Sequence, residues 1–358
     1  MFSEKAKDIS DACRFCWMCR HVCPVAAVTG NEANTPRARG LILSMDERGI
    51  PYGKEAIDLV FQCCLCSACT NNCATGYDPT VFTREARSIA IARDLLPPWL
   101  EKIVNAALDG MLHFVDEPMS DQYRTIVNTL DQNAEVLLYR GGYTDSAVPL
   151  MRVLSKAEVD FNVLKDELPS GAHLGDLVGY VDEVKEVAIR WRNQINASGC
   201  DTVVVLNPTD AAFIKQQMVQ WDVIPKAKVV TATAYVAQLI EKKQLKVQSK
   251  KQIVTFHDPS RLARILDDTA SPRALIQAAN IQLNEMFLHG KLANSSGSAL
   301  MQLLYPSIVD LMVASRWAEI ERTGAHTVVT ASPENYHLLK SGQREGFEVV
   351  DIFSLLLD

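Results

Sequence analysis

The sequence predicts a helical N-terminal domain followed by two α/β units, each built on a parallel sheet. Eight of the ten cysteines fall into two copies of one spacing within residues 13–73. Beyond residue 98, short apolar runs alternate with longer stretches of helical periodicity, and this alternation occurs twice. Strands that alternate with helices form parallel sheets covered by helices. We therefore expect three domains, at residues 1–98, 99–245 and 246–358.

Composition narrows the class of protein. The 358 residues carry a formal net charge of −7, with 48% hydrophobic and 22% charged residues. Nucleic-acid binding needs a basic face, which this balance does not favour. The sequence offers no apolar run long enough to span a bilayer and no apolar signal-peptide core at its N-terminus. We expect a cytoplasmic protein that associates with a membrane only through a partner subunit.

The cysteines indicate iron–sulfur chemistry. Each run has the spacing C-x2-C-x2-C-x3-C, and Pro24 follows the first run. This is the spacing that binds 4Fe-4S clusters, and in two-cluster proteins the fourth cysteine of each run ligates the other cluster. We therefore expect two 4Fe-4S clusters with crossed ligands. The first is assigned to Cys13, Cys16, Cys19 and Cys73, and the second to Cys63, Cys66, Cys69 and Cys23.

Structural zinc is the alternative for paired cysteines, because Zn²⁺ takes four thiolates in a tetrahedron. Zinc does not explain two full runs with three residues before each last cysteine. Cys64 breaks the spacing that Cys63 keeps, so we interpret Cys64 as a buried thiol rather than a ligand. Cys200 precedes a candidate strand and is interpreted as a small core residue.

Other residues near the ligands leave two interpretations open. Apolar side chains form the domain core and also keep water from the clusters, namely Phe15, Trp17, Val22 and Leu65. Four arginines either raise the cluster potentials or are solvated surface charges, namely Arg14, Arg20, Arg37 and Arg39. His21 is expected near the ligands or at the surface rather than on iron, since four cysteines are already present.

Regular elements follow from periodicity and breakers. In the N-terminal domain we expect a short helix at 54–62 and a longer one at 81–96, ended by Pro97 and Pro98. Strands are expected at 134–139, 159–164, 202–206, 228–231, 253–256, 281–286, 326–330 and 348–352. Helices are expected at 177–197, 271–279 and 299–322. A polar, lysine-rich linker at 241–252 separates the two α/β units, which suggest an internal duplication.

Turn sequences in the α/β units carry a resemblance to a known family. The second unit contains His257-Asp258-Pro259-Ser260, Ser271-Pro272-Arg273, Ser295-Ser296-Gly297 and Thr330-Ala331-Ser332-Pro333-Glu334-Asn335. The first unit contains Arg140-Gly141-Gly142, Pro169-Ser170-Gly171 and Asn207-Pro208-Thr209-Asp210. Together with the two cysteine runs, this order resembles the family of iron–sulfur subunits found in heterodisulfide reductase, anaerobic glycerol-3-phosphate dehydrogenase and glycolate oxidase.

The resemblance implies a ferredoxin-type domain followed by two tandem CCG-like repeats, with one departure. None of the family's cysteines is present in the turns of either repeat. Hydroxyl and amide groups are poor substitutes for thiolates on iron–sulfur cores. We therefore expect the repeats to serve as a scaffold and docking surface without metal.

The function implied is that of an electron-transfer subunit rather than an enzyme on its own. It would relay single electrons between a flavoprotein dehydrogenase, or an electron-transferring flavoprotein, and a further acceptor. That acceptor could be quinone-linked or membrane-bound, reached through a partner. No P-loop is present and no G-x-G-x-x-G follows a strand, so we expect no flavin or nucleotide on this chain.

Two alternatives stay open. A catalytic protein like heterodisulfide reductase would act in the cavity between the repeats, using His257, Asp258 or Asp210. Against it, His257 and Asp258 follow a strand end, where a structural hydrogen-bonding role is favoured. A regulatory iron–sulfur sensor is the other alternative, although one cluster suffices for sensing.

Overall fold

The computed structural model describes residues 2–131 and 134–357. Contacts divide the chain into two compact units. Unit 1 comprises Met1–Phe114, His173–Val184 and Asn294–Arg316, and unit 2 comprises Val115–Ala172, Lys185–Ala293 and Trp317–Asp358. The three domains expected from the sequence stay a prediction.

The helices, in chain order, are α1 Glu4–Ala12, α2 Met18–Val22, α3 Pro24–Thr29, α4 Pro36–Glu47, α5 Ile57–Phe61, α6 Ala68–Asn71, α7 Pro79–Ala92, α8 Pro98–Leu108, α9 Asp121–Val127, α10 Val148–Lys156, α11 Ala172–Val178, α12 Asp182–Ser198, α13 Pro208–Ala212, α14 Ala232–Glu241, α15 Ala270–Ala278, α16 Ala299–Leu304, α17 Pro306–Glu321 and α18 Pro333–Ser341. The strands are β1 Val136–Tyr139, β2 Phe161–Asn162, β3 Thr202–Val205, β4 Lys228–Thr231, β5 Ile253–His257, β6 Gln282–Leu283, β7 Thr327–Thr330 and β8 Glu348–Asp351. Short π-helical segments lie at Phe213–Met218 and Arg261–Ile265.

Unit 1 is built from helices around the cysteine runs. Helices α1, α4 and α7 pack against one another, and α2 of the first run packs against α6 of the second. Proline opens α4 and α7, where its missing N–H costs nothing, and the side chains of Thr35 and Asp78 cap them. The helices expected at 54–62 and 81–96 are present as α5 and α7, and Pro98 begins α8.

Unit 2 contains two four-stranded parallel sheets. Their strand orders are β2-β1-β3-β4 and β6-β5-β7-β8, so the two sheets have the same relative order. In each sheet the first strand in sequence pairs with its neighbours in parallel register, for example Tyr139 with Val205 and His257 with Thr330. The expected alternation of strands and helices is confirmed. Apolar residues from both sheets, such as Leu138 and Phe256, join one buried cluster.

Two helices expected to be continuous are each broken. The predicted helix 177–197 is wrong at its start, because α11 ends at Val178 and α12 begins at Asp182. Gly179 lies between them with a φ of +88°, and its backbone approaches the carbonyl oxygen of Arg84 so closely that a β-carbon would not fit. The predicted helix 299–322 is interrupted at Tyr305, because Pro306 lacks an N–H and disfavours helical geometry in the residue before it.

Candidate iron–sulfur centre

The two cysteine runs adopt the same local geometry. Phe15 and Leu65, each two residues after the first cysteine of a run, have positive φ angles of 49° and 50°. Their backbone N–H groups donate hydrogen bonds to the sulfur atoms of Cys13 and Cys63, over 3.3 Å and 3.4 Å. Non-glycine residues rarely adopt this conformation. The repeated strain places a backbone N–H donor on the sulfur of the first cysteine of each run.

Five cysteines line one cavity in unit 1. They are Cys23 from the first run and Cys63, Cys64, Cys66 and Cys69 from the second. All are buried except Cys63, which is half-buried. Cys23 lies between α2 and α3, where Pro24 begins the next helix. Apart from Cys64, they are the four residues that the sequence assigns to the second cluster.

A second group of thiols lies nearer the surface. Burial raises the pKa of Cys13, and the adjacent thiols of Cys73 and Cys16 raise it further. Cys16 is exposed, Cys13 and Cys73 are half-buried, and Cys19 is buried. Burial raises the pKa of Cys19 to about 11, with smaller contributions from Cys13 and Cys16. The structure thus places Cys73 of the second run beside the first run, although the ligand assignment itself stays a prediction.

Hydrogen bonds around Cys73 differ from those at the other thiols. Its partial burial would raise the pKa, yet the hydroxyl of Thr75 and the backbone N–H groups of Thr75, Tyr77 and Gly76 lower the pKa overall. The sulfur lies 3.3 Å from the Thr75 hydroxyl oxygen. Tyr77 fixes this loop on α4, because its hydroxyl donates to the carbonyl oxygen of Pro36 over 2.9 Å.

Arg39 supplies a buried positive charge to the cavity of the second group. Its Nη1 donates to the carbonyl oxygens of Asn34 and Leu59, at 3.1 Å and 3.3 Å. Its Nε is buried without a hydrogen-bond partner, and the side chain lines the cysteine cavity. A buried cation whose hydrogen bonds go only to carbonyl oxygens is costly beside neutral thiols but suits an anionic cluster held by four thiolates. The donor set and this charge therefore fit a 4Fe-4S cluster.

In the described parts of the chain, 2–131 and 134–357, no group of three or more His, Cys, Asp or Glu side chains is placed to hold a single metal ion. A 4Fe-4S cluster is ligated at four separate iron atoms, so its cysteines surround a cage instead of converging on one point.

A buried network that the sequence did not indicate supports the second run. Arg87 is fully buried, and its Nη2 donates to the carbonyl oxygens of Phe61 and Cys63, at 3.1 Å and 2.7 Å. Its Nη1 donates to the carbonyl oxygen of Asp176. Burial lowers the pKa of Arg87 to about 10, which leaves it protonated at neutral pH. Arg84 pairs with the Asp176 carboxylate at 2.9 Å.

Of the apolar residues expected in the domain core, Leu65 is buried, but Trp17 is 49% exposed, so the expectation for Trp17 is wrong. The cysteines outside the predicted ligand set lie where the sequence interpretation expects them. Cys64 is a buried thiol beside Cys66, and Cys200 is also buried. Arg14, Arg20 and His21 are exposed, whereas Arg39 is buried among the thiols. Of the four arginines, Arg39 therefore has the position from which a charge acts most strongly on a cluster.

The turns at which the resemblance implies cysteines are instead occupied by polar groups that form hydrogen bonds with one another. Ser170 donates to the carboxylate of Asp210 over 2.5 Å, and both are buried. In the second sheet, Arg273 donates two hydrogen bonds to the Asp258 carboxylate, at 2.8 Å and 3.0 Å, and the Gly290 N–H donates a third over 2.7 Å. His257 is fully buried. These contacts give Asp258 a structural role and favour the structural interpretation of the His257–Asp258 pair.

The cysteine loops also match a known family. Residues 9–77 match the 4Fe-4S dicluster domain. The chain is 25% identical, over 334 residues, to a probable membrane-anchored ferredoxin of Chromohalobacter salexigens; the match covers 77% of this chain and 48% of that protein. The chain thus spans about half the length of the curated relative. This is an iron–sulfur protein with a ferredoxin-type 4Fe-4S domain at its N-terminus and parallel-sheet α/β regions after it.

Comparison with solved structures gives no further guide. The glutamate racemase isoform RacE1 of Bacillus anthracis aligns with 63% of this chain and 79% of its own, at 12% identity and a TM-score of 0.33. A resemblance this low carries no argument about function. Within the described residues, none of the helices is both long and apolar enough to cross a bilayer.

Proposed function

We propose that the chain is the electron-transfer subunit of a multisubunit oxidoreductase and relays single electrons through two 4Fe-4S clusters. The observation that supports this most directly is the pairing of thiols across the two runs. Cys23 lines the cavity formed with the second run, and Cys73 lies near Cys13 of the first run, as crossed ligation of two clusters would require. Clusters bound there would accept and pass on one electron at a time.

The residues of the chain set the conditions for such a relay. The cavity of the second group is lined largely by apolar surface. Such a lining excludes water from a bound cluster and tunes the reduction potential of that cluster. Arg39 holds a positive charge against it, and backbone N–H groups donate to sulfur in both runs. One group is buried and the other reaches the surface at Cys16, which suits a path from the surface inward.

The partners belong to the same proposal. A flavoprotein dehydrogenase or an electron-transferring flavoprotein would deliver electrons, and a quinone-linked or membrane-bound acceptor would take them. The similar protein of Chromohalobacter salexigens is a probable membrane-anchored ferredoxin, which supports an acceptor at a membrane. We also propose that the two sheets belong to CCG-like repeats of the heterodisulfide reductase type that lack the cysteines of the turns, an arrangement supported by their common strand order.

The test is iron and acid-labile sulfide content of anaerobically purified chain, with electron paramagnetic resonance after dithionite reduction. We expect about eight irons per chain and spin-coupled cubane signals, because two clusters of four irons lie close together. The Cys64→Ala and Cys200→Ala variants are matched controls that should keep all of the iron. About four irons per wild-type chain would contradict the two-cluster relay, and so would loss of iron in either control variant.

A further inference from the structure

The surface beside Cys16 combines a near-surface ligand with an exposed aromatic anchor. Cys16 is exposed, and the next two residues, Trp17 and Met18, are 49% and 59% exposed. Large apolar side chains are normally buried, and Trp, Met and Arg are the residue types enriched at protein interfaces. Cys16, Trp17 and Met18 therefore form an exposed, largely apolar patch at the first group of thiols, to which Cys16 belongs.

Two arginines hold Trp17 in place. The guanidinium carbon of Arg37 lies 4.5 Å from the centre of the Trp17 ring, and that of Arg20 lies 5.3 Å from it. Arg37 is itself fixed, because its Nε donates to the carbonyl oxygen of Phe15 over 2.9 Å. Such cation–π contacts keep the indole in one orientation while it stays exposed. A preorganised aromatic side chain loses little entropy on binding a partner.

The charge on this surface is opposite to that of the whole chain. Arg20 and Arg37 lie against the Trp17 ring, and the exposed Arg14 lies three residues before it and donates to the backbone carbonyl oxygen of Asp11. Glu32 bridges Arg20 and Arg37 at 3.2 Å and 3.5 Å. The exposed His21 and an open recess adjoin Arg20. A chain with a net charge of −7 thus presents a locally basic surface where a ligand thiol is exposed.

We propose that the surface formed by Arg14, Cys16, Trp17, Met18, Arg20 and Arg37 is the port at which a small acidic one-electron carrier protein docks. This rests on the proposed relay function and adds the site and the charge of the partner. The second thiol group is buried, so electrons enter or leave through the first. Complementary charge would steer the carrier to Cys16, and Trp17 would anchor it there.

The experiment uses the anaerobic full chain, reduced with dithionite and freed of excess reductant, and two oxidised carriers of similar size. One is a plastocyanin with an acidic surface, and the other is a basic cytochrome c. In each reaction one reduced cluster loses an electron and one Cu(II) becomes Cu(I), or one ferric haem becomes ferrous. Stopped-flow absorbance gives the second-order rate constants at low and high ionic strength.

The expected results are specific to charge. Raising the salt should slow the plastocyanin reaction by about tenfold, since steering by charge is screened. Arg20→Glu should slow plastocyanin and speed cytochrome c, and Trp17→Ala should slow plastocyanin. Trp99→Ala and Arg124→Gln, which change an exposed tryptophan and an exposed arginine elsewhere, should leave both rates unchanged. Iron content and the paramagnetic signal of every variant verify intact clusters.

Two failures are distinguishable. Intact clusters whose reaction with plastocyanin is insensitive to Arg20→Glu, Trp17→Ala and salt would overturn the docking port and leave the relay standing. A wild-type chain without clusters that dithionite can reduce would overturn the relay and the port together.

Discussion

Arg87 donates a hydrogen bond of 2.7 Å from its Nη2 to the backbone carbonyl oxygen of Cys63. The same guanidinium also binds the carbonyl oxygens of Val60 and Phe61, so it closes the end of α5 and fixes the backbone at the first cysteine of the second run. Orphan carbonyls at a helix end must be satisfied by some donor. The buried guanidinium of Arg87 satisfies three such carbonyl groups, those of Val60 and Phe61 at the end of α5 and that of Cys63 just beyond it.

We expect Arg87→Lys to lower the free energy of unfolding by roughly 2–4 kcal/mol, because an ammonium group cannot reproduce the planar fork and leaves buried carbonyls unpaired. Iron content should fall as well, since Cys63 is no longer held. Thermal unfolding and iron analysis measure both effects. The control is Arg93→Lys, which changes an arginine paired with Asp46 and more exposed than Arg87. Equal loss in both variants would contradict the role assigned to Arg87.

The crossed assignment of ligands is tested by pairs of substitutions. In Cys13→Ala with Cys73→Ala, both changes fall on one cluster, so about four of eight irons should remain. In Cys13→Ala with Cys23→Ala, each change falls on a different cluster, and little iron should remain. If each run held its own cluster, the second pair would keep about four irons. Iron content and paramagnetic resonance of the two double variants therefore decide the arrangement.

Arg39 should raise the potential of the buried cluster. A nearby positive charge favours the reduced form, which is more negative, so Arg39→Gln should shift that midpoint potential downward. A unit charge at an effective dielectric constant of about 20 gives a shift of roughly 50–100 mV. A redox titration followed by paramagnetic resonance measures it. Arg48→Gln, at the exposed C-terminal end of α4, is the control and should leave both potentials within error.

The sequence predicted the cysteine loops because their chemistry is local. Spacing and the rule for two-cluster proteins predicted which thiols share a cluster; Cys23 lies near the second run and Cys73 near the first, and the ligand assignment itself stays a prediction. The hydrogen bonds of Arg87 that support these loops were not predictable from the sequence, because Asp176 lies 89 residues after Arg87 and no local pattern links them. The break at Pro306 could have been expected from proline alone. The alternation of strands and helices was predicted, whereas the partners of buried polar groups depend on tertiary contacts.

Removing the Arg273 side chain should destabilise the part of unit 2 that is built on the second sheet, β6-β5-β7-β8. Asp258 is 1% exposed in its side chain and is held by two bonds from Arg273, which also binds Glu285. Arg273→Met leaves a buried carboxylate unpaired, at a cost of about 3–5 kcal/mol. Combining it with Asp258→Asn should recover part of that loss.

Urea unfolding of the full chain measures both Arg273 variants. Arg344→Met is the matched control, because Arg344 is half exposed and lies 3.8 Å from Glu321 in a weak surface pair. The double variant should be more stable than Arg273→Met alone. If it is instead as unstable as the single variant, the buried charge is not the cause of the loss.

Asp351, at the end of β8, should make stability depend on pH. Burial raises its pKa from 3.8 to about 7, although the backbone N–H groups of Phe353, Ser354 and Ile352 act in the opposite direction. Between these values the folded chain binds the proton that the unfolded chain has lost. The free energy of unfolding contributed by this group therefore falls as the pH rises from about 4 to about 7, and is constant above.

Asp351→Asn removes this charge and keeps an oxygen that caps the following turn. The variant should be more stable than the wild type at pH 8, by on the order of 2 kcal/mol, a value discounted for partial solvation. The gain should shrink as the pH is lowered toward about 5.5, because the wild-type carboxyl becomes protonated. Urea unfolding across this range measures the difference, with Glu348→Gln as the exposed control on the same strand. A gain that is independent of pH would show that packing, rather than the buried charge, limits stability at this position.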